Sequence, residues 1–198
     1  MKFSIIAIII LLIISSCENS NPGIPKPRAY PRIDFPEKVY KLFSNSDCGY
    51  EFEIPVYGDI NQEKKYFDEA PPNDCWYNLE FPAFNGTLYL TYYPINNRGD
   101  FDKLIDDTYR LVNKHNIKAT GRNEIPISQN GTGGILFSIE GQVASHTQFF
   151  LTDSTQNFIR GSLYFNNKVN VDSMNIIQNF IDKDVYHLVE SFKWIKKP

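Results

Sequence analysis

The sequence has few of the residues that build metal centres. Its 198 residues include three cysteines and three histidines, and the histidines at positions 115, 146 and 187 are scattered along the chain. A zinc site needs three or four Cys, His or carboxylate ligands, mostly at short spacing. We therefore expect no metal site and no cofactor.

Neither sign of charge predominates. Lys and Arg together number 20 against 23 Asp and Glu, for a formal net charge of −3. Domains that bind nucleic acid usually carry a basic patch or stripe. The mildly acidic balance therefore argues against nucleic acid as a partner.

The N-terminal apolar run is too short to cross a membrane. It extends from Ile5 to Ile14, and ten residues of helix rise about 15 Å, half the hydrocarbon thickness of a bilayer. Such a run is typical of a signal peptide. It ends in Ile14-Ser15-Ser16-Cys17, which resembles a bacterial lipobox. We interpret residues 1–16 as a lipoprotein signal peptide and Cys17 as the acylated residue that anchors the chain to a membrane; the alternative is a soluble export signal with a chance cysteine.

Export also affects the interpretation of the other two cysteines. Cys48 and Cys75 form an even pair in an oxidising compartment, so we predict a disulfide between them. Two buried free thiols, or half of a metal site shared with a histidine, are the alternatives.

Prolines are concentrated behind the signal peptide, where residues 25–38 read PKPRAYPRIDFPEK. Such a stretch favours an extended, preorganised segment. Its arginines offer hydrogen-bond donors and its aromatics offer apolar surface, which a simple spacer does not need. We interpret residues 17–40 as tether and docking arm, which contacts the protein's own domain or, as the next alternative, a partner. A featureless tether is the remaining alternative. The proposed docking residues are Pro27, Arg28, Tyr30, Arg32, Asp34 and Phe35.

Residues 41–198 predict a single α+β domain. Short apolar or alternating runs between turn residues predict strands, whereas 59–74 reads as an exposed loop. We expect the last three strands to form an antiparallel meander. The predicted strands are Tyr50–Tyr57, Trp76–Phe81, Gly86–Tyr93, Glu124–Ile127, Ile135–Ile139, Thr147–Thr152 and Phe158–Phe165.

Apolar residues at spacings of three and four predict two helices. The first runs from Phe101 to about His115 with Asp100 as its cap, and the second from Met174 to Ile195. Asp172 or Ser173 can cap the second helix. An antiparallel sheet covered by two main helices is an α/β/α sandwich, and the order of elements loosely resembles the PsbP/Mog1 type.

The sequence offers little catalytic chemistry. Ser145, His146 and Asp153 fall close together, but there is no nucleophile elbow or Gly-rich oxyanion loop, so we predict no catalytic site. The run from Gly131 to Gly134 lacks the lysine of a phosphate loop and predicts a hairpin turn instead.

Several longer motifs carry a family resemblance. They are PKPRAYPRIDFP at 25–36, Gly133-Gly134, QFFLTDS at 148–154 and FIRGSLYFN at 158–166, together with Cys48, Cys75-Trp76 and the lipobox. In these features the chain resembles the gliding-motility lipoprotein GldD family of Bacteroidetes over essentially its whole length.

The resemblance implies a non-catalytic lipoprotein of the cell envelope. It would be required for gliding motility and type IX protein secretion, with other components of that machinery as partners and its domain in the periplasm, on the inner or outer membrane. A Bacteroidetes source also implies that Ser154 and Ser173, each after an aspartate, can be O-glycosylated. The alternative function is a lipid-anchored module that binds a small ligand or envelope polymer; an aromatic-lined pocket would favour it.

Overall fold

The computed structural model describes residues 33–65, 69–166 and 171–197. The chain divides into two units after Asp34, and the unit from Phe35 onward carries the fold. Its helices are α1 (Arg98–His115) and α2 (Val171–Ser191). Its strands are β1 (Tyr40–Asn45), β2 (Tyr50–Pro55), β3 (Asp59–Gln62), β4 (Tyr77–Phe81), β5 (Gly86–Pro94), β6 (Ala119–Gln129), β7 (Thr132–Gly141), β8 (Thr147–Thr152), β9 (Asn157–Phe165) and β10 (Lys193–Trp194).

These strands form two antiparallel sheets. The smaller has the order β1-β2-β10, and the larger has the order β3-β4-β5-β9-β8-β7-β6. The hairpin between β6 and β7 turns at Asn130 and Gly131, which have φ of 49° and 74°. A mixed α+β fold with two helices and antiparallel sheets is therefore confirmed, as is the hairpin turn, although Thr132 already begins β7.

Three strands escaped the sequence prediction. β1 has a largely exposed side-chain pattern, β3 is a short polar strand in the segment predicted to be a loop, and β10 has two residues. Each lies at an edge of its sheet. An apolar pattern in a sequence reflects which side chains are buried. Edge strands bury few side chains, so these strands have no strong apolar pattern.

Both helices begin before the predicted residue; the first ends at His115, as predicted, and the second ends earlier than predicted. The Oδ1 atom of Asn97 accepts a hydrogen bond from the backbone N–H of Asp100 at 3.0 Å, so Asn97 caps α1 and Asp100 lies in its first turn. α2 includes Asp172 and Ser173 and ends at Ser191, short of the predicted Ile195. The residues after it pair with β2, because the apolar periodicity continues into a segment that the tertiary fold makes extended.

The two faces of β8 pack toward different helices. Phe150 belongs to a buried cluster that packs against apolar residues of α1, including Phe101 and Leu104. Thr147, which points the opposite way in the strand, donates a hydrogen bond to Asp182 of α2 at 2.5 Å. All six residues of β8 are buried, so this strand is covered on both of its faces.

Candidate functional site

Most of the predicted docking and modification sites lie outside the described residues. Cys17, Pro27, Arg28, Tyr30 and Arg32 all precede residue 33. Docking by those residues, and acylation of the cysteine, therefore stay predictions.

The two predicted glycosylation positions differ in their surroundings. Ser154 is exposed in the turn between β8 and β9, where its φ is 62°. Ser173 lies in the first turn of α2, and its side chain is not described. Their O-glycosylation remains a prediction.

The predicted disulfide between Cys48 and Cys75 is present, with the two Cα atoms 5.5 Å apart. Cys48 lies in the turn between β1 and β2, and Cys75 comes just before β4. The bond therefore joins the smaller sheet to the larger one. Each cysteine backbone N–H donates to a nearby asparagine side chain, Asn45 for Cys48 and Asn73 for Cys75, which holds the local turns.

Of the predicted docking residues, Asp34 is exposed and Phe35 is partly buried. The Phe35 ring stacks on Phe180 of α2 with centroids 4.4 Å apart, and on Phe84 at 5.8 Å. Tyr57 also stacks on Phe180, at 5.9 Å. Phe35 therefore attaches the start of this unit to an aromatic cluster of the domain.

A buried carboxylate lies beside this aromatic cluster. Asp184 of α2 is 1% exposed and accepts hydrogen bonds from the ammonium of Lys38 at 2.7 Å, from the Tyr57 hydroxyl at 2.5 Å and from the Tyr40 hydroxyl at 3.0 Å. The Lys38 ammonium also lies 3.3 Å from the Phe180 ring centroid. Lys38 precedes β1, so an ion pair fixes the chain as it enters the domain.

The surroundings of Asp184 change the acidity of its partners. Burial lowers the pKa of Lys38 more than the Asp184 carboxylate raises it. Burial and the same carboxylate raise the pKa of Tyr40 to about 12 and raise that of Tyr57 further. Both phenols therefore remain neutral donors at neutral pH.

Sequence reasoning missed Asp184, although a signal was available. It lies three residues after Ile181 and four before Leu188, on the apolar stripe of the helix. A carboxylate at such a position needs a buried partner.

A second polar site is a cleft of about 640 Å³ beside α1. Seven strands spaced about 4.8 Å apart make a sheet about 30 Å wide, whereas a helix is about 10–12 Å across. α1 packs on the buried cluster that includes residues of β7, β8 and β9. Beside it, side chains of β4, β5, β8 and β9 line an open depression, with Leu111 and Lys114 of α1 as one wall.

The strand register places one row of cleft residues across four strands. Asn78 of β4 pairs with Tyr89 of β5, which pairs with Ser162 of β9, which pairs with Gln148 of β8. All four line the cleft. Its floor is therefore a mixture of amide, hydroxyl and aromatic groups, unlike the aliphatic core.

A glycine in β9 allows close packing behind this floor. A Cβ on Gly161 would collide with the Phe149 ring of the neighbouring strand. Because the position is glycine, the buried Phe149 ring can lie directly against β9, on the face of the sheet opposite the cleft residues Arg160 and Ser162.

The described lining of the cleft carries more positive than negative charge. It includes Lys65, Lys114 and Arg160 together with one carboxylate, Glu63. Burial alone would raise the pKa of Glu63, but hydrogen bonds from the side chain of Asn78 and from backbone N–H groups lower it, so this residue is ionised. Burial lowers the pKa of His115, helped by His146 and Lys114, and His115 is neutral at pH 7.

Two buried donors in the cleft lack hydrogen-bond partners within the described chain. They are Nε2 of Gln148 and Nη1 of Arg160. Gln148 is 5% exposed, and the guanidinium of Arg160 lies over the Tyr93 ring at 4.9 Å. Arg160 belongs to the FIRGSLYFN motif, but sequence reasoning gave it no role, because only the sheet register shows that it shares a face with Gln148.

The three residues considered for hydrolase chemistry do not meet. Ser145 and His146 precede β8, whereas Asp153 follows it, so they lie at opposite ends of the strand. Nε2 of His146 lies 3.0 Å from the carbonyl oxygen of Gly141, and Asp153 accepts hydrogen bonds from the backbone N–H groups of residues 155–157. These contacts hold turns.

Within residues 33–65, 69–166 and 171–197, no helix is long and apolar enough to cross a membrane. The same ranges contain no cluster of three His, Cys, Asp or Glu residues that could hold a metal ion.

Comparison with known proteins gives one specific match. No curated protein matches the chain. The solution structure of cyanobacterial PsbP (CyanoP) from Synechocystis sp. PCC 6803 is similar at 12% identity, covering 86% of this chain and 99% of that one with a TM-score of 0.44, which supports no inference about function. A family model described as gliding motility lipoprotein GldD matches residues 20–194. The chain therefore belongs to the GldD family of gliding motility lipoproteins.

Proposed function

We propose that this protein is a non-catalytic envelope lipoprotein that acts in gliding motility and type IX secretion through contacts with other components of that machinery. The observation that carries the proposal is the family match over residues 20–194. The separation of Ser145 and His146 from Asp153 agrees with a protein that has no hydrolytic triad.

The proposal includes a lipid anchor at Cys17 and a domain in the periplasm, on the inner or outer membrane. The tether after the anchor would let the domain reach a partner while it stays bound to the membrane. We also propose that the domain is an α/β/α sandwich, since Phe150 and Thr147, on opposite faces of β8, pack toward different helices.

The two ends of the docking arm have different proposed contacts. Phe35 and Lys38 contact α2, so the end of the arm is held by the protein's own domain. We propose that Pro27, Arg28, Tyr30 and Arg32 present a preorganised surface beyond that point, and that this surface contacts a partner.

One pair of variants tests the anchor and the arm. Cys17→Ala should leave unprocessed precursor, because lipoprotein maturation begins at that thiol. A Gly/Ser replacement of residues 25–32 that keeps Phe35 and Lys38 should leave the unfolding free energy unchanged but stop gliding and secretion.

Each variant also has an outcome that would contradict the proposal. A Cys17→Ala protein that is still cleaved and membrane-bound after a carbonate wash would exclude lipidation. Normal gliding with the Gly/Ser arm would reduce the arm to a tether.

A second candidate function is favoured by the cleft. A lipid-anchored module that binds a small ligand or envelope polymer needs a concave site with aromatic walls and a few placed polar groups. Tyr89, Tyr93 and Tyr164 line a cleft of about 640 Å³, within the usual size of ligand sites.

A further inference from the structure

We propose that the cleft beside α1 binds an acidic saccharide, whose carboxylate is held by Arg160 and Gln148 and whose sugar rings lie against the tyrosines of β5 and β9. This inference deepens the second candidate function, and it does not depend on a role in the gliding machinery.

The unpaired donors determine where the carboxylate binds. Nε2 of Gln148 and Nη1 of Arg160 are buried without a hydrogen-bond partner within the described chain. A buried donor without a partner costs stability unless a ligand pairs with it. Gln148 pairs in register with Ser162, and Arg160 lies two residues before Ser162 on the same face of β9, so the two side chains are diagonal neighbours within reach of one small group.

The chemistry of these donors selects the anionic group. A guanidinium presents its N–H groups in a planar fork that matches the two oxygens of a carboxylate, and an adjacent amide can donate to the same group. Among the described residues, three cationic side chains line the cleft against one carboxylate, that of Glu63, in a protein whose net charge is −3. This local reversal of sign would attract an anion.

The remaining lining indicates a sugar rather than a purely apolar acid. Tyr89 and Tyr164 provide aromatic surface, and their rings are 5.8 Å apart. The hydroxyl-bearing residues Thr91 and Ser162 line the same cleft. An apolar ligand would bury those hydroxyls without partners, whereas a sugar presents hydroxyls to pair with them and C–H faces to pack on the rings.

The size of the cleft limits the length of the ligand. A volume of about 640 Å³ suits a drug-sized molecule. We expect roughly two sugar rings to be enclosed, with any longer chain continuing into solvent.

The test is a titration of full-length protein, purified in detergent, with short oligomers of galacturonic, glucuronic and mannuronic acid. Methyl-esterified oligomers of the same length are the matched ligand control, because they keep the rings and remove the charge. Calorimetry should detect at least one of the acidic oligomers and at least tenfold weaker binding of its ester. Binding should also weaken as the salt concentration rises.

Two variants locate the site on the protein. Arg160→Gln and Gln148→Leu should each weaken binding of the acidic oligomer at least tenfold, whereas Arg98→Gln, an exposed arginine at the start of α1, should leave it unchanged. Thermal unfolding of each variant verifies that it is folded, and Gln148→Leu keeps the side-chain size if Arg160→Gln fails to fold.

Several results would overturn the inference. They are no binding of any acidic oligomer, equal binding of acid and ester, or binding that neither cleft variant changes. Tighter binding of a sugar phosphate than of any uronic acid would overturn the assignment of a carboxylate. Since binding is measured with purified protein, it can fail while gliding still depends on the arm, and the reverse can also occur.

Discussion

Asp184 and Gln148 are both almost fully buried polar side chains, at 1% and 5% exposure, but their surroundings differ. Asp184 accepts hydrogen bonds from Lys38, Tyr40 and Tyr57. Gln148 leaves its Nε2 atom without a partner in the described part of the chain and faces an open cleft.

The difference separates a structural polar site from a candidate binding site. A buried group with a full set of partners has no capacity left for a ligand, and removing it leaves its partners unpaired. A buried donor without a partner reduces stability until something else pairs with it. The domain therefore holds the segment before β1 through Asp184, whereas one donor of Gln148 and one of Arg160 have no partner among the described residues.

The largest expected effect is the loss of stability on removing the Asp184 carboxylate. Asp184→Ala should lower the free energy of unfolding by about 4 kcal/mol, because it leaves the partly buried Lys38 ammonium and two phenols without their acceptor. Urea denaturation of the full-length protein measures the loss.

The matched control is the double variant Lys38→Met with Asp184→Leu, which removes both charges. It should recover most of the lost stability, since an apolar pair of similar size avoids the unpaired charge. A single variant as stable as the wild type would show that the buried contact does not hold the chain.

The disulfide joins the two sheets at the edge of the cleft, since Cys75 directly precedes Trp76 of its lining. Cys75→Ser should lower the free energy of unfolding by about 3 kcal/mol through loss of the cross-link in the unfolded chain. Denaturation with and without reductant measures it. Thiol labelling of the denatured, unreduced wild type should find neither cysteine free, and labelling of both would contradict the bond.

A substitution of Phe35 tests whether aromatic stacking, in addition to the Lys38 ion pair, holds the segment before β1. Phe35→Ala should cost about 2 kcal/mol, the usual contribution of a large aromatic side chain that is mostly buried. Denaturation measures the loss, and Phe35→Leu, which keeps apolar volume, should recover about half of it. No loss in either variant would mean that the stacking on Phe180 contributes nothing.

A substitution in the cleft should raise the free energy of unfolding, whereas the substitutions above lower it. Gln148→Leu removes a buried donor that has no partner in the part of the chain that the structure describes, so it should raise the free energy of unfolding by about 1 kcal/mol in the absence of ligand. Denaturation without added saccharide measures the gain. A loss of stability would instead mean that this amide has a structural role, and the comparison with Asp184 would fail.

The smallest effect concerns pH. Burial raises the pKa of Asp182, and the hydrogen bonds from Thr147 and Gln178 and the charge of His146 only partly oppose it. A carboxyl with a raised folded-state pKa stabilises the fold while it is protonated, below its unfolded pKa of about 3.9, and that contribution is lost as pH rises through the folded pKa. Wild type should therefore lose a few tenths of a kcal/mol relative to Asp182→Asn between pH 4 and pH 7. Parallel stability curves for the two proteins would exclude this effect.

The sequence predicted the covered parts of the fold better than the exposed edges. Thr147–Thr152 was predicted with the same limits as β8, because every residue of that strand is buried and its neighbours are turns. β3 and β10 were missed because they are short edge strands. The end of α2 was misplaced because Phe192 and Ile195 continue the helical spacing of apolar residues, although the chain there pairs with β2.

For the candidate site, the sequence shows which residue types are present but not which of them lie together in the fold. The pair Cys48 and Cys75 was predictable because an exported chain with two remaining cysteines has one way to pair them. The spacing of α2 could also have revealed Asp184. Nothing in the chain order relates Asn78 to Gln148, which are 70 positions apart in number and meet only through the register of four strands.

Local physical chemistry thus accounts for the disulfide pair and the buried strands and helices, because each depends on residues close in sequence or on a single pairing. The tertiary structure decided the rest. It determined how much of a seven-stranded sheet α1 covers and which side chains share the uncovered face. It also determined that, within the described residues, Asp184 has three hydrogen-bond donors around it while Gln148 and Arg160 each retain an unpaired donor. Sheet register and the packing of a narrow helix on a wide sheet are long-range properties, and no local pattern encodes them.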